Sequence, residues 1–245
     1  MDSHAQEVSL KIFSCLNSNE LRECRRVSKA WKVLASDKAL WKAFDKKQWE
    51  TYFGDIGKEP PLPKDIHKIL KSQCPFWPEK KVGETHMLVL IPETVNGKPL
   101  NLKTLEELVK APKKGHATKY QWKTSNEHEN QAAAKSHWAL MAMDIVGGDE
   151  KYTDQQALIA RLVKQTGIDY EVPSVSDAAI CIFTKYVSSG KCLFMRNSTR
   201  CQEKTLGGDQ LAVGFYSPLL GLSVENTLFD GIHVDLGIAP LRKFF

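Results

Sequence analysis

The stretch EVSLKIFSCLNSNELRECRRVSKAWKVLASDKALWKAF, residues 7–44, predicts how the N-terminal part of the chain folds. Apolar residues recur in it every three or four positions, which is the spacing of one face of an α-helix. The residues that keep this spacing form three runs, which are Val8, Ile12, Cys15 and Leu16; Leu21, Cys24, Val27, Trp31 and Leu34; and Leu40, Trp41 and Phe44. The pattern predicts three short, closely spaced helices.

Residues that favour helix starts separate the three runs. Asn17 is placed to cap the second helix, and Glu20, three residues later, completes a capping box. Ser36 or Asp37 is placed to cap the third helix. The boundaries between the runs therefore agree with the helical spacing inside them.

Three such short helices form too small a core to be stable without help. Chains below about 40 residues usually need a metal ion, disulfide bonds or a partner, and slightly longer ones stay marginal. The stretch has neither metal-ligand spacing nor a cystine pattern. We therefore expect another protein to cover part of its apolar surface.

With these residues in these positions, the stretch resembles an F-box, the trihelical module that docks onto the Skp-type adaptor of SCF (cullin–RING) ubiquitin ligases. The resemblance covers about residues 2–44 and places a trihelical F-box at residues 1–50. The residues that carry it are Glu7, Val8, Ile12, Phe13 and Leu16; Glu20, Leu21, Cys24, Val27 and Trp31; and Leu34, Ala35, Ser36, Asp37, Leu40 and Trp41.

The resemblance also implies a role for each apolar residue of the module. The residues expected to contact the Skp-type adaptor are Val8, Ile12, Phe13, Leu16, Leu21, Cys24 and Val27. Those expected to hold the three helices together are Trp31, Leu34, Leu40 and Trp41. The alternative is that all of these residues pack on the rest of the chain.

Two positions depart from the family pattern. The family usually begins with Leu-Pro, a dipeptide that contacts the adaptor, whereas this chain has His4 and Ala5. Losing that apolar contact weakens adaptor binding by about one or two kcal/mol, at about 25 cal/mol per Å² of buried apolar area. The second departure is Ser28, where a cysteine is common.

The chain changes character after the module. Residues 51–80 are rich in proline and are interpreted as a connecting segment with one short helix near Ile66–Lys71. Residues 81–245 are predicted to form a separate α+β domain. It begins with the apolar run of residues 86–92, which predicts a buried strand, and continues with a helix from Leu102 to Val109.

Further helices and strands are expected in the rest of this domain. Residues 126–146 predict a long helix that ends at Gly147 and Gly148, and Thr153 and Ser176 are expected to cap two more. The apolar runs CLFMR, LAVGFY and GIHVDLGI in the C-terminal tail predict short strands. The fold class is therefore α+β: an N-terminal trihelical F-box followed by a separate α+β domain.

Composition places the protein inside a cell. Its 245 residues carry a net charge of +5 that is spread along the chain, its six cysteines form no C-x-x-C motif, and no apolar run approaches the roughly 18 residues of a membrane span. The N-terminus lacks the pattern of a secretory signal. We expect a reduced, cytoplasmic protein that neither enters a membrane nor binds nucleic acid.

No motif predicts catalysis, and no catalytic residue, cofactor or metal ligand is assigned. Cys201 is expected to be the most exposed thiol, next to Arg200 and Lys204, and a thiol-dependent hydrolase built on it is one alternative. Cys181 and Cys192 are expected in the core. The histidines at 116, 128 and 137 do not have zinc-ligand spacing.

The segment PKKGHATKYQWK, residues 112–123, supports a second alternative, a module that binds an anionic surface such as RNA or lipid. Its lysines would contact phosphates while Tyr120 or Trp122 stacks on bases. The competing interpretation is a solvated basic loop with its aromatic side chains packed inward. No phosphate-binding glycine motif accompanies the segment.

Segments such as ETHMLVLIPETVNGKPL, residues 84–100, are similar to the C-terminal region of a lineage-specific F-box family of amoeba-associated intracellular bacteria. That resemblance implies a translocated effector in the host cytoplasm, with a C-terminal domain of no established activity. The expected function is thus a non-enzymatic adaptor: the F-box binds a Skp-type protein, and the second domain holds a protein target for ubiquitination.

Overall fold

The structure is a computed structural model that describes residues 43–122, 128–227 and 231–245. The three predicted F-box helices, with their expected adaptor contacts and core, lie outside the described residues. The described part contains both helices and sheets, as the predicted α+β class requires.

Six helices and ten strands follow one another in the described residues. The helices are α1 (Lys46–Tyr52), α2 (Ile66–Lys71), α3 (Val82–Thr85), α4 (Leu102–Lys110), α5 (Tyr152–Thr166) and α6 (Val175–Ser189). The strands are β1 (His86–Ile91), β2 (Thr94–Val95), β3 (Lys98–Pro99), β4 (Tyr120–Trp122), β5 (His137–Ala142), β6 (Ser198–Lys204), β7 (Gln210–Ser217), β8 (Gly221–Thr227), β9 (Leu236–Gly237) and β10 (Leu241–Phe244).

The strands form three sheets. The first is antiparallel and has the order β1-β5-β10, so its central strand pairs with one strand from earlier and one from much later in the chain. The second is the small β2-β3 hairpin. The third has the order β4-β8-β7-β6-β9, with parallel pairs at its two edges and antiparallel pairs between them.

Helix α6 lies at the centre of the core. It contacts β1 and β5 of the first sheet and β6 and β7 of the five-stranded sheet. Eleven of its fifteen residues are buried, because a helix that meets neighbours on several sides must be apolar nearly all round. Ser174 caps its first turn, and Gly190 ends it in the left-handed conformation.

Residues before β1 belong to the same core. The backbone of Phe44 pairs with β1: its N–H donates to the Leu88 carbonyl (2.8 Å), and its own carbonyl accepts from the Leu90 N–H (2.9 Å). Trp49 is fully buried, and its Nε1–H donates to the Leu90 carbonyl at 2.7 Å. Residues 43–56 therefore pack on the first sheet, while the domain boundaries proposed at 50 and 80 stay predictions.

Several local predictions are confirmed. The buried strand His86–Ile91, the short helix Ile66–Lys71 and the helix Leu102–Lys110 all occur where the sequence patterns place them. The two later helices end at Gly167 and Gly190, as expected. Their N-caps are Lys151 and Ser174 rather than Thr153 and Ser176.

The predicted helix over residues 126–146 is wrong. His137–Ala142 form β5, and all six residues are buried because α6 packs on this strand and the proline segment at Pro60 contacts Trp138. A strand buried on both faces loses the apolar–polar alternation that distinguishes strands from helices in a sequence. Gly147, with φ of 70°, therefore lies in the turn before α5 and does not end a helix.

The C-terminal tail is partly as predicted. LAVGFY lies in β7, whereas CLFMR forms no strand, and Phe194 within it has a positive φ of 53°. Of GIHVDLGI, only Leu236–Gly237 pair as a strand. Strands β4 and β10 were not predicted, because their short sequences acquire partners only through contacts distant in the chain. Strand β8, also not predicted, pairs with the preceding strand β7, but its sequence GLSVENT is partly polar.

Candidate functional site

The predicted adaptor-binding residues and the described cavities belong to different parts of the chain. The expected adaptor contacts Val8, Ile12, Phe13, Leu16, Leu21, Cys24 and Val27, and the expected F-box core residues Trp31, Leu34, Leu40 and Trp41, all lie outside the described residues. In the C-terminal part, two cavities flank strand β10.

The first cavity has a volume of about 290 Å³ and lies where α6 begins, next to the first residue of β5. Its polar lining consists of Gln131, Lys135, His137, Ser174, Ser176, Asp177, Glu203 and Lys243. Its apolar lining includes Ile91, Leu100 and Ile180. Convergent polar groups against an apolar wall are typical of a binding site.

Two carboxylates lie at the N-terminus of α6, where helix N–H groups lack internal partners. Ser174 Oγ accepts from the Asp177 N–H at 3.0 Å, and Glu203 Oε2 accepts from the Val175 N–H at 2.9 Å. Negative charge is favoured at this end of a helix. Burial nevertheless raises the pKa of Glu203, although the bond from Val175 opposes that rise.

Asp177 is the most connected group of the cavity. Ser174 Oγ–H donates to its Oδ2 at 2.7 Å, Lys243 Nζ lies 2.9 Å from the same oxygen, and His137 Nε2 lies 3.5 Å from Oδ1. Burial alone would raise the pKa of Asp177, but the contact with His137, the Lys243 charge and the Ser174 bond outweigh it. They lower the pKa to about 2, so the carboxylate is ionised at neutral pH.

Lys243 joins two carboxylates. Its Nζ contacts Asp177 at 2.9 Å and Glu171 Oε1 at 3.1 Å. Burial would lower the pKa of Lys243, but these two carboxylates raise it above its usual range. The cluster therefore links α6, β5, β10 and the segment before α6 through complementary charges.

This arrangement differs from a serine–histidine pair. Ser174 Oγ–H donates to the Asp177 carboxylate rather than to a histidine. His137 has Nδ1 at 3.1 Å from the Lys135 carbonyl and Nε2 turned to Asp177, so both ring nitrogens face groups of the protein. In the described structure the cluster positions three elements and shapes a cavity.

The prediction that Cys201 is an exposed thiol is wrong. Cys201 lies fully buried in β6, where burial and then the charges of Glu203 and Asp177 raise the pKa of its thiol. Cys181 is buried in α6 as predicted, and burial raises its pKa too. Cys192, expected in the core, is only half-buried. Cys201 is buried because β6 packs on α6 in the core, which its polar neighbours in STRCQEK conceal in the sequence.

The three histidines whose spacing was compared with that of zinc ligands lie apart from one another. His137 belongs to the Asp177 cluster, His128 Nε2 lies 2.9 Å from the Lys204 carbonyl, and His116 packs on the Tyr186 ring. Within the described ranges, no three His, Cys, Asp or Glu side chains are grouped as metal ligands. No helix of this part of the chain is long and apolar enough to span a membrane.

In the basic segment 112–123, the described residues favour the packed interpretation over the stacking one. Tyr120 is buried in β4, and its ring lies edge-on to Phe183 with centroids 4.7 Å apart. Burial raises the pKa of Tyr120 well above its usual value. Tyr120 is therefore not available to stack on a base.

A second cavity, of about 480 Å³, lies on the other face of the first sheet. It is lined by the proline-rich residues 60–64 together with Arg242, Phe244 and Phe245. Trp138 Nε1–H donates to the Pro60 carbonyl at 3.3 Å and thereby fixes this proline segment over the sheet. Sequence reasoning missed both cavities, because the residues that form them are up to 185 positions apart, from Pro60 to Phe245.

Comparison with known proteins finds similarity in one region. Residues 6–47 match the family model described as F-box-like. No curated protein matches the chain, and no solved structure does. The proposed resemblance of the C-terminal part to a family of amoeba-associated bacteria stays a prediction. The match covers nearly the segment that the helical spacing singled out, so this chain contains an F-box-like region followed by a mixed α and β structure.

Proposed function

We propose that the protein is a non-enzymatic adaptor subunit of an SCF (cullin–RING) ubiquitin ligase. Its F-box-like region binds a Skp-type protein, and its C-terminal part holds a protein target so that the ligase can transfer ubiquitin to it. The observation that carries this proposal is the F-box-like match over residues 6–47. Catalysis lies in other subunits, so the chain needs no cofactor.

The junction between the two parts suits this role. The match ends at residue 47, and the last residues within it are already anchored: Phe44 pairs with β1, and its ring packs on Trp49 and Tyr52. The last residues of the match are therefore held to the same core that would hold the target. A flexible linker between the two would let the target's lysines sample many positions instead.

The test is co-purification with a eukaryotic Skp-type adaptor. The wild-type protein should retain the adaptor at micromolar concentration, and the double variant Leu16→Asp, Leu21→Asp should lose it, because two charges in an apolar interface leave buried groups unpaired. A matched control is Lys29→Asp with Lys38→Asp, which places two aspartates at charged positions outside the three apolar runs and should bind as the wild type does.

Two results would contradict the proposal. If the wild-type protein does not retain the adaptor, the adaptor role is wrong. If the Leu16→Asp, Leu21→Asp variant binds as tightly as the wild type, the interface lies elsewhere. Circular dichroism and thermal unfolding of each variant show whether lost binding reflects lost structure.

We further propose that the protein acts as a translocated effector in the cytoplasm of a host cell. Support comes from the resemblance of residues 84–100 to segments of an F-box family of intracellular bacteria, and from the match to a module that serves a ligase of eukaryotes. A fusion to a translocation reporter, expressed in such a bacterium during infection of amoebae, should give signal in the host cytoplasm. Signal confined to the bacteria would contradict it.

A further inference from the structure

We propose that the free edge of strand β10 binds an extended, acidic segment of a protein target by strand addition. The inference deepens the proposed function, since it names the surface that holds the target and the chemistry of the segment. In such a complex, main-chain hydrogen bonds hold the peptide while cavities on the two faces of the sheet receive alternate side chains.

The hydrogen-bond register shows which backbone groups of β10 are directed away from the sheet. The Ala142 N–H donates to the Pro240 carbonyl, so residues 240, 242 and 244 face β5. The N–H and carbonyl of Leu241 face outward, where both pair with Glu171. Lys243 and Phe245 also face outward, and their outward backbone groups have no backbone partner in the described part of the chain.

The two cavities described above flank this edge on opposite faces. Successive side chains of a strand alternate between faces. Lys243 lines the 290 Å³ cavity, Arg242 and Phe244 line the 480 Å³ cavity, and Phe245 lines both. A peptide strand paired to Lys243 and Phe245 would therefore place alternate side chains in the two cavities.

Charge selects an acidic peptide for the larger cavity. Its charged lining residues are Lys64 and Arg242, both basic, and the Arg242 guanidinium lies 4.7 Å from the centre of the Phe244 ring. The smaller cavity differs, because its Lys243 is already paired with Asp177 and Glu171, and because one side of it is the apolar wall of Ile91, Leu100 and Ile180. We therefore expect a peptide with alternating carboxylate and aliphatic side chains.

The first experiment is selection of random twelve-residue linear peptides, displayed on phage, against the complete protein. Acidic peptides with aliphatic residues at every second position should be enriched. The most enriched peptide is then synthesised with a fluorophore, and its affinity is measured by fluorescence anisotropy. Selection that yields no acidic sequences would overturn the proposal.

The second experiment tests main-chain pairing without altering the protein. The same peptide is synthesised with one N-methyl group at each position in turn. Strand addition predicts a loss of affinity at every second position, because only alternate N–H groups face β10. Equal tolerance at all positions, or a three-to-four-residue period, would overturn strand addition.

Variants of Phe245 and Arg242 test whether the peptide binds at the outer edge of β10. Phe245→Pro removes the outward N–H and should weaken binding about five-fold more than Phe245→Ala, which removes the ring but keeps the N–H. Arg242→Glu should weaken an acidic peptide at least ten-fold, whereas the charge-matched control Lys164→Glu, on the exposed end of α5, should have no effect. Unchanged affinity in both Phe245→Pro and Arg242→Glu would exclude this edge.

Two further measurements separate this inference from its alternatives. The Leu16→Asp, Leu21→Asp variant should bind the peptide normally, so a failure of adaptor docking and a failure of peptide binding remain distinguishable. Single-stranded RNA is tested against the same variants. One outcome is that RNA binds this surface with an affinity that falls steeply with salt concentration while the acidic peptide does not bind. In that case the basic residues contact phosphates, and the proposal is wrong.

Discussion

Asp177 holds three parts of the molecule together through one carboxylate. It receives a hydrogen bond from Ser174 and contacts Lys243 and His137. Asp177 and His137 are buried, whereas Ser174 and Lys243 are half-buried. A buried carboxylate is stable only while each of these partners is present, because removing a partner leaves an uncompensated buried charge. Asp177 is therefore the residue whose charge matters most for the stability of this region.

Stability should depend on the ionisation of Asp177 at low pH. Its pKa is lowered from 3.8 to about 2, so the ionised form stabilises the folded state fully above pH 4 and that contribution is lost as the pH falls toward 2. The shift corresponds to about 2 kcal/mol. Urea unfolding of the wild type at pH 7, 4, 3 and 2 measures it.

Asp177→Asn is the matching control. The variant should be less stable than the wild type at pH 7 by about 3 kcal/mol, because Lys243 and His137 lose a charged partner. Its stability should also change less than that of the wild type between pH 4 and pH 2. Parallel pH profiles of the two proteins would show that another carboxylate is responsible.

The four described cysteines should differ in reactivity. Cys201 and Cys181 are buried with raised pKa values, whereas Cys192 is half-exposed. Alkylation of the native protein with iodoacetamide at pH 7.5, read by peptide mass spectrometry, should label Cys192 well before Cys201. Rapid labelling of Cys201 would contradict its burial and restore the thiol-hydrolase alternative.

At the scale of elements, α6 organises the core because both larger sheets pack on it. Its length is set by Ser174, whose side chain accepts from the Asp177 N–H in the first turn, and by Gly190, which ends the helix with φ of 69°. The C-terminal end is also closely packed: a Cβ added to Gly190 would lie 3.0 Å from His116 Nε2. Gly167 ends α5 with a similar φ, but its surroundings are open.

Alanine substitutions at these two glycines distinguish the cost of a strained backbone from the cost of a steric clash. Gly167→Ala should cost about 1 kcal/mol, because an alanine there keeps a left-handed backbone. Gly190→Ala should cost more, since the same strain is joined by displacement of His116 from Tyr186. Thermal and urea unfolding measure both. Equal losses of stability in the two variants would show that displacing His116 costs no measurable free energy.

At the scale of the whole molecule, residues 43–56 are part of the C-terminal fold. Phe44 covers the outer edge of β1, and Trp49 is buried between that strand and its neighbours. An uncovered edge strand exposes N–H and carbonyl groups that pair readily with other chains. The F-box-like match and the C-terminal core therefore overlap in the chain over residues 43–47.

Truncation tests this overlap. A chain that begins at residue 43 should unfold cooperatively and stay monomeric, although it should not bind a Skp-type adaptor. A chain that begins at residue 58 should have a markedly lower Tm and aggregate, because it loses Trp49 and exposes the edge of β1. Light scattering and differential scanning calorimetry compare the two. Equal stability of both chains would show that residues 43–57 are dispensable.

The sequence determined the local features of this protein by itself. Helical spacing and caps depend on neighbours three or four positions apart. The F-box-like segment, α4 and the glycine ends of α5 and α6 could therefore be predicted from the sequence. Strand β1 could also be predicted, because its continuous apolar run is a local feature of the sequence.

Only the tertiary structure decided which residues meet. HWALMA became a strand because β1 and β10 pair with both of its edges. Cys201 became buried because β6 packs on α6. The cavities beside β10 are formed by residues of distant segments. Such contacts depend on how strands are ordered in a sheet. That order is set by the total burial of the whole chain rather than by any local pattern.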